Sequence, residues 1–136
     1  MIVSTRGRYA LRVMIDMAEQ GGDAYIPMKD IAARQGVSPK YMEQIMPALV
    51  KEHLVTGIHG KGGGYRLAVD PAECSVLSIL QATEGSLSSV TCLESGANPC
   101  ERAKTCQTLP VWKKLNSLIE DYLGGVFLTD LCRKPS

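Results

Sequence analysis

Apolar positions along this chain recur mostly at three- and four-residue steps, the mark of amphipathic helices rather than strands. In TRGRYALRVMIDMAEQ (5–20), Ala10, Leu11, Val13, Met14, Ile15, Met17 and Ala18 cover most of the circumference of a helix that Gly21 and Gly22 end. So broad an apolar surface predicts a helix central to the core. The stretch from Ile26 to Val55 reads as two short helices joined by a tight turn. Pro27 suits the first turn of the earlier helix, Ile31 and Ala32 face inward, and Gly36 suits the left-handed residue that closes it. Ser38 then serves as N-cap and Pro39 as first residue of the later helix. Tyr41, Met42, Ile45, Met46, Leu49 and Val50 give that helix one broad buried face. Pro47 lacks the N–H that would reach the Glu43 carbonyl, which predicts a bend beyond residues 40–44.

The pattern changes in LVTGIHGKGGGYRLAVDP. Leu54-Val55 and Tyr65-Arg66-Leu67 are strand candidates, and Gly60, Gly62, Gly63 and Gly64 between them cannot hold a helix. Two strands with a flexible basic tip predict a β-wing. Ser75 to Thr83 is a short amphipathic helix ending near Gly85, with Cys74 beside it as a small packed residue. Ser86 to Cys106 is short of large apolar groups and rich in Ser, Gly, Asn and Pro, and a loop of that length points to function or disorder. A long helix returns from about Leu109 to Tyr122, with Pro110 in its first turn and Gly124-Gly125 at its end. Val111, Leu115, Leu118, Ile119 and Tyr122 form its stripe beside Trp112, which suits a partner helix across a two-fold axis. A final turn, LTDLC, is expected to pack Leu128, Leu131 and Cys132 on the core.

The fold class expected is therefore mainly α with a small β-wing. A winged helix–turn–helix spans 1–84, a cysteine-rich loop 85–108, and a dimerisation helix with its closing turn 109–136.

On the second helix of the hairpin Lys40, Glu43, Gln44 and Lys51 are left outside, and their spacing puts them on one face. A helix–turn–helix presents such a face to the major groove, reading bases from its N-terminal turns. Gln44 suits adenine, Glu43 suits cytosine, and Lys40 suits guanine or phosphate. Ser38 and Tyr41 flank them and complete the candidate DNA face. Arg6 and Arg8, at the start of the first helix, are candidate phosphate anchors, since a helix N-terminus offers free N–H groups and a favourable dipole. His59, Lys61 and Arg66 lie on the wing, available to a phosphate or the minor groove.

Net charge changes the picture only mildly. Overall it is +1, but residues 1–66 carry nine Lys/Arg against six acids, while 67–136 carry six against eight. That asymmetry suggests a nucleic-acid half and a partner half. GKGGG lacks the GxxxxGK[ST] spacing of a phosphate-cradling loop, so nucleotide binding is not expected. No apolar run is long enough to span a bilayer and no signal-peptide pattern opens the chain, so a cytoplasmic protein with reduced thiols is expected. Five cysteines, an odd number, then argue against a disulfide framework.

Cys92, Cys100 and Cys106 have seven and five residues between them, a poor match to the closely paired ligands of zinc sites. Three thiols in one hydrophilic loop favour an iron–sulfur cluster, with unligated surface thiols as the rival reading.

Taken together, STRGRYALR (4–12), SPKYMEQI (38–45), GKGGGYRL (60–67), the three-cysteine loop and Trp112 resemble the IscR-type winged-helix transcription regulators over nearly the whole chain. The resemblance implies a homodimer with crossed long helices, a recognition helix in each half-site of double-stranded DNA, and a cluster on Cys92, Cys100 and Cys106 that changes DNA affinity. The family's best-known members take a fourth ligand from a histidine three residues after the last cysteine, where this chain has Leu109. Other relatives use an acidic residue of the first helix, and the corresponding position here is Arg8. The first cysteine spacing is also two residues longer. The fourth ligand is thus unassigned, and a 2Fe–2S cluster is the expectation with 4Fe–4S the alternative.

The reading that follows is a repressor sensing iron–sulfur status, iron, oxygen or nitric oxide. The alternative within the class is a clusterless regulator, for instance of cysteine metabolism, switched by a partner protein or by thiol oxidation. A small thiol redox enzyme is disfavoured because the chain has no CxxC, no Cys–His pair in one segment and no nucleotide loop.

Overall fold

Ser4 opens the first helix by accepting the Gly7 amide on its hydroxyl at 3.0 Å, and Gly21 closes it at φ 63°. The computed structural model of the chain describes residues 3–85, 87 and 106–133. Its elements run α1 (Thr5–Gln20), α2 (Met28–Gln35), α3 (Pro39–Lys51), β1 (Val55–Ile58), β2 (Gly64–Leu67), α4 (Val76–Glu84), α5 (Leu109–Gly124) and α6 (Leu128–Leu131). α1 packs against α2, α3, α4, α6 and β2, as its wide apolar surface requires. Ala10, Val13, Met14, Met17 and Ala18 are buried there, with Leu11 and Ile15 half-buried at the margins.

The hairpin forms at the expected residues. Gly36 is left-handed (φ 65°, ψ 33°), the Ser38 hydroxyl accepts the Tyr41 amide at 3.1 Å, and Pro39 stands in the first turn of α3. Met42, Ile45, Met46 and Leu49 are fully buried, and α3 continues through the exposed Pro47 to Lys51. Two residues depart from the sequence expectation. Pro27 is the N-cap of α2 rather than its first helical residue, because Ile26 before it is held extended by exchanging two hydrogen bonds with Tyr65, both at 2.8 Å. Val50 lies on the outer edge of the α3 face and is 38% exposed.

His53 leaves α3 at φ 61°, a conformation His accepts more readily than branched residues do. The wing then pairs β1 with β2 antiparallel, from Val55↔Leu67 to Ile58↔Gly64. The ladder extends further into the glycine-rich segment than the sequence suggested, while Leu54 stays outside it as a buried residue. Gly64 has φ 154°, and a Cβ there would collide with the Ile26 carbonyl, so the Ile26–Tyr65 junction between wing and hairpin depends on glycine.

Ser75 caps α4, accepting the Ser78 amide at 3.1 Å. The chain leaving α5 returns beside the start of α4: the Val76 amide donates to Val126 at 2.8 Å and Leu128 donates to Cys74 at 3.0 Å. Val76, Leu80 and Leu87 form a second apolar cluster with Leu123 and Val126. Leu128 is fully buried and Cys132 packs at the edge of the core, but Leu131 is exposed, since the four-residue α6 turns only one leucine inward. In α5 Leu109 alone is buried, and Val111, Leu115, Leu118 and Tyr122 are 40 to 70% exposed.

Candidate nucleic-acid interface and thiol segment

The outer face of α3 carries Lys40, Glu43, Gln44 and Lys51, all exposed, as the helical spacing predicts. Ser38 is exposed too, with its hydroxyl engaged as the helix cap. Tyr41 is half-buried, and its ring meets that of Tyr9 edge-on at 5.5 Å with a 71° interplanar angle. It therefore fastens α3 to α1 at the border of the exposed face. His59 and Lys61 are exposed at the wing tip, where Gly60 and Gly62 take positive φ and the Gly63 amide closes the turn on the Gly60 carbonyl at 2.9 Å.

The arginines divide. Arg8 is exposed and donates to Thr5 Oγ1 at 3.1 Å, within the first turn of α1. Arg6 instead donates to the Thr83 carbonyl at the end of α4, so its guanidinium serves a helix C-terminus. Arg66 donates to the Asp23 carbonyl at 2.9 Å and lies over the Tyr25 ring at 4.7 Å, which holds it at the wing's base and not at a phosphate-facing tip.

Sequence reasoning passed over a polar network behind the hairpin turn. Asp16 is 3% exposed and takes three contacts from Arg34, Nη2 to Oδ1 at 2.7 Å and Nε to Oδ2 at 2.9 Å and Oδ1 at 3.2 Å, and one from Gln35 Nε2 at 3.0 Å. The ion pair raises the Arg34 guanidinium above its ordinary value, the Asp16 hydrogen bond being the main cause. The signal was an acid on the otherwise apolar face of α1: a carboxylate there must find partners, because an unpaired buried charge is costly.

Cys92 and Cys100 lie outside the described residues. Cys106 is half-buried just before α5, its Sγ 3.3 Å from Oγ1 of Thr108, the N-cap. Cysteine sulfur is the usual ligand of iron–sulfur clusters, so this residue is of the type that would hold one. Among the described residues no three His, Cys, Asp or Glu side chains gather into a metal site. Leu109, where a histidine ligand would stand, is buried at the start of α5. At Cys74 and Cys132 burial pushes the thiol up, with the Glu19 carboxylate adding to the effect at Cys132.

The family described as Rrf2, iron-dependent transcriptional regulator, matches residues 3–134. The chain belongs to the Rrf2 family. It is 36% identical over 131 residues to the HTH-type transcriptional regulator IscR of Aliivibrio salmonicida, covering 96% of this chain and 77% of that protein. Among solved structures it is similar to T. potens IscR, with TM-score 0.74, 33% identity, and 96% and 85% of the two chains covered. It is also similar to CymR (YrzC), the global cysteine regulator of B. subtilis, with TM-score 0.77, 29% identity, and 100% and 99% covered. The helix–turn–helix and wing are thus those of a DNA-binding transcriptional regulator, and the relatives are regulators, not enzymes. Among the described residues no helix is long and apolar enough to cross a membrane.

Proposed function

We propose that this Rrf2 protein is a homodimeric repressor whose operator affinity is set by an iron–sulfur cluster on Cys92, Cys100 and Cys106. The observation that carries the reading is the place of Cys106. A half-buried thiol stands at the N-terminal end of α5, the helix whose exposed apolar stripe is suited to a second subunit. The cluster, when bound, supplies an iron centre sensitive to oxygen, nitric oxide and iron supply. The chain's own part is to hold it by three thiolates, with the thiol segment bounded by α4 on one side and α5 on the other. A change in the thiol segment then reaches DNA through the relative placement of the two subunits. In each subunit Lys40, Glu43 and Gln44 read bases, while Arg8, His59 and Lys61 hold the backbone of a pseudo-palindromic operator. In this proposal residues 1–84 serve DNA, 85–108 the cluster and 109–136 the dimer.

The test is anaerobic reconstitution with iron and sulfide, then iron counting and an operator titration before and after air. The expected result is a brown protein that loses its colour and changes its affinity together. Replacing Cys92, Cys100 or Cys106 by Ala abolishes the colour, whereas replacing Cys74 or Cys132 leaves it. Stoichiometric zinc, or equal affinity in both states, defeats the reading.

A second reading has its own support in the likeness to the B. subtilis cysteine regulator over the whole chain. In it the three thiols bind no iron, and operator affinity responds to thiol oxidation or to a partner protein. An iron-free protein whose affinity changes with a mild thiol oxidant distinguishes this outcome.

A further inference from the structure

One residue of α1 holds both sides of the turn between α2 and α3. Arg12 donates from Nε to Oε1 of Gln35 at 3.3 Å and from Nη2 to the Gln35 carbonyl. Gln35 ends α2, so the guanidinium takes up a carbonyl for which the terminating helix has no amide of its own. The Arg12 Cζ also lies 5.1 Å from the centroid of the Tyr9 ring, a cation–π distance. Tyr9 in turn meets Tyr41, in the first turn of α3, edge-on at 5.5 Å.

Gln35 is fixed from the other side as well. Its Nε2 donates to Asp16, one helical turn from Arg12 on α1, and Asp16 is itself held by Arg34. Residues 36–40 are all that separate Gln35 from Tyr41, and Lys40, Glu43 and Gln44 stand directly on either side of Tyr41 on α3. The buried contacts of Met42, Ile45, Met46 and Leu49 keep α3 on the core. Apolar burial is non-directional, however, and by itself fixes the rotation of a helix about its axis only to within the width of its buried face. Hydrogen bonds and the aromatic contact are directional, and Arg12 is where they converge.

We propose that Arg12 is a positioning residue for base reading: by tying Gln35 and the Tyr9–Tyr41 pair to α1 it sets the rotation at which α3 presents Lys40, Glu43 and Gln44. This rests on the assignment of α3 as the base-reading helix. Arg12 acts through those residues and makes no contact of its own with DNA.

The experiment uses the full chain and an operator selected from random-sequence DNA by the wild-type protein. Affinity is measured for that operator and for a random duplex of equal length, across a salt series, for Arg12→Gln, Arg12→Lys, Tyr9→Phe, Tyr9→Leu and Glu43→Ala. Loss of a charge-assisted hydrogen bond predicts about a tenfold weaker operator complex for both Arg12 variants, with random-duplex affinity and salt slope unchanged. Lysine does not rescue, because an ammonium cannot span a carbonyl, an amide oxygen and a ring together. Tyr9→Phe keeps wild-type discrimination and Tyr9→Leu loses it. Equal weakening on both duplexes with a salt slope lower by about one would make Arg12 a phosphate contact and overturn the proposal. Wild-type discrimination in Arg12→Lys, or equal discrimination in the two Tyr9 variants, overturns it too, and the Tyr9 pair decides alone if Arg12 variants do not fold. Failure of Glu43→Ala to change discrimination sinks the base-reading assignment itself. An effect at Glu43 with none at Arg12 sinks only the positioning role.

Discussion

The carboxylate of Glu84 lies on the first turn of α1, where its Oε1 accepts the Ser4 amide at 3.1 Å and the Ser4 hydroxyl as well. The contact is reciprocated, since Arg6 of that turn donates to the Thr83 carbonyl. An acid thus sits at the positive end of α1 and a base at the negative end of α4, each favoured by the helix dipole. This joint fixes where the thiol segment departs from the DNA-binding half.

Gly7 makes the joint sterically possible, because a Cβ there would overlap Glu84 Oε1. In an unobstructed helix Gly→Ala gains about 1 kcal/mol. Here Gly7→Ala must displace a carboxylate whose hydrogen bonds are worth ~1.5–3 kcal/mol. Gly7→Ala is therefore expected to destabilise the wild type by about 1 kcal/mol, the difference between those terms. In a Glu84→Ala background the same change is expected to stabilise by a similar amount. Urea denaturation of the four proteins measures the coupling. Equal effects in both backgrounds would mean the carboxylate does not occupy that turn.

The buried thiol of Cys74 ties stability to alkaline pH. Burial holds it above the ordinary thiol value, against a smaller opposing effect of the Ser78 hydroxyl. The unfolded chain ionises at about pH 8.5, before the folded one, so over that interval the unfolded state binds fewer protons. Stability is then full below pH ~8 and declines as pH rises through and past the unfolded value. Cys74→Ala should flatten this alkaline slope even though it lowers stability at neutral pH by opening a small cavity. Denaturation midpoints from pH 7 to 10 provide the check, and parallel curves for the two proteins would contradict the assignment.

Much of this architecture was legible because it is written in local signals. Ser38-Pro39 and Gly36 each fix a helix boundary through the chemistry of one or two residues, and the structure places the boundaries there. Periodicity likewise gave the buried face of α3 and the stripe of α5. What escaped were contacts between residues far apart in the chain. Pro27 moved out of α2 because of a bond to Tyr65, Arg6 went to Thr83, and Arg66 went to Asp23. An arginine at a helix N-terminus looks the same in sequence whether it faces a phosphate or the C-terminus of a neighbouring helix. The Arg12–Gln35 and Tyr9–Tyr41 contacts cross between helices in the same way.

The stripe on α5 leads to a prediction about assembly. Val111, Leu115, Leu118 and Tyr122 are exposed at steps of four, three and four residues, one continuous apolar face on a helix of 16 residues. Such a face, left open to water on one chain, is expected to close against the same face of a second. The wild type should sediment as a dimer at micromolar concentration. Leu115→Glu places a charge in the middle of the stripe and should split the dimer. The winged half should stay folded, because its core is built from α1 to α4, the wing and Leu128 of α6, not from the outer face of α5. A monomeric wild type, or a Leu115→Glu protein that stays dimeric, would remove the basis for the crossed-helix assembly.

The two kinds of DNA contact assigned here should separate in one salt series. Glu43 is exposed on the turn of α3 proposed to read bases, where a carboxylate would accept from cytosine N4 while repelling phosphate. Glu43→Ala should therefore change preference at one operator position by about 1–3 kcal/mol and leave the salt slope nearly alone. Removing the negative charge also relaxes discrimination, so random duplexes should bind somewhat more tightly. Arg8 and Lys61 are exposed cations, one on α1 and the other at the wing tip. Phosphate contacts carry no sequence information, so under this proposal Arg8→Ala and Lys61→Ala should each weaken operator and random duplexes alike and lower the salt slope by about one per site. Arg6→Ala is the internal control, since its guanidinium is committed to Thr83: it should lower thermal stability and leave the slope at the wild-type value. Titrations from low to moderate salt on both duplexes give all four results. A slope change for Arg6→Ala with none for Arg8→Ala would reverse the assignment of the two arginines and turn the start of α1 around on the DNA.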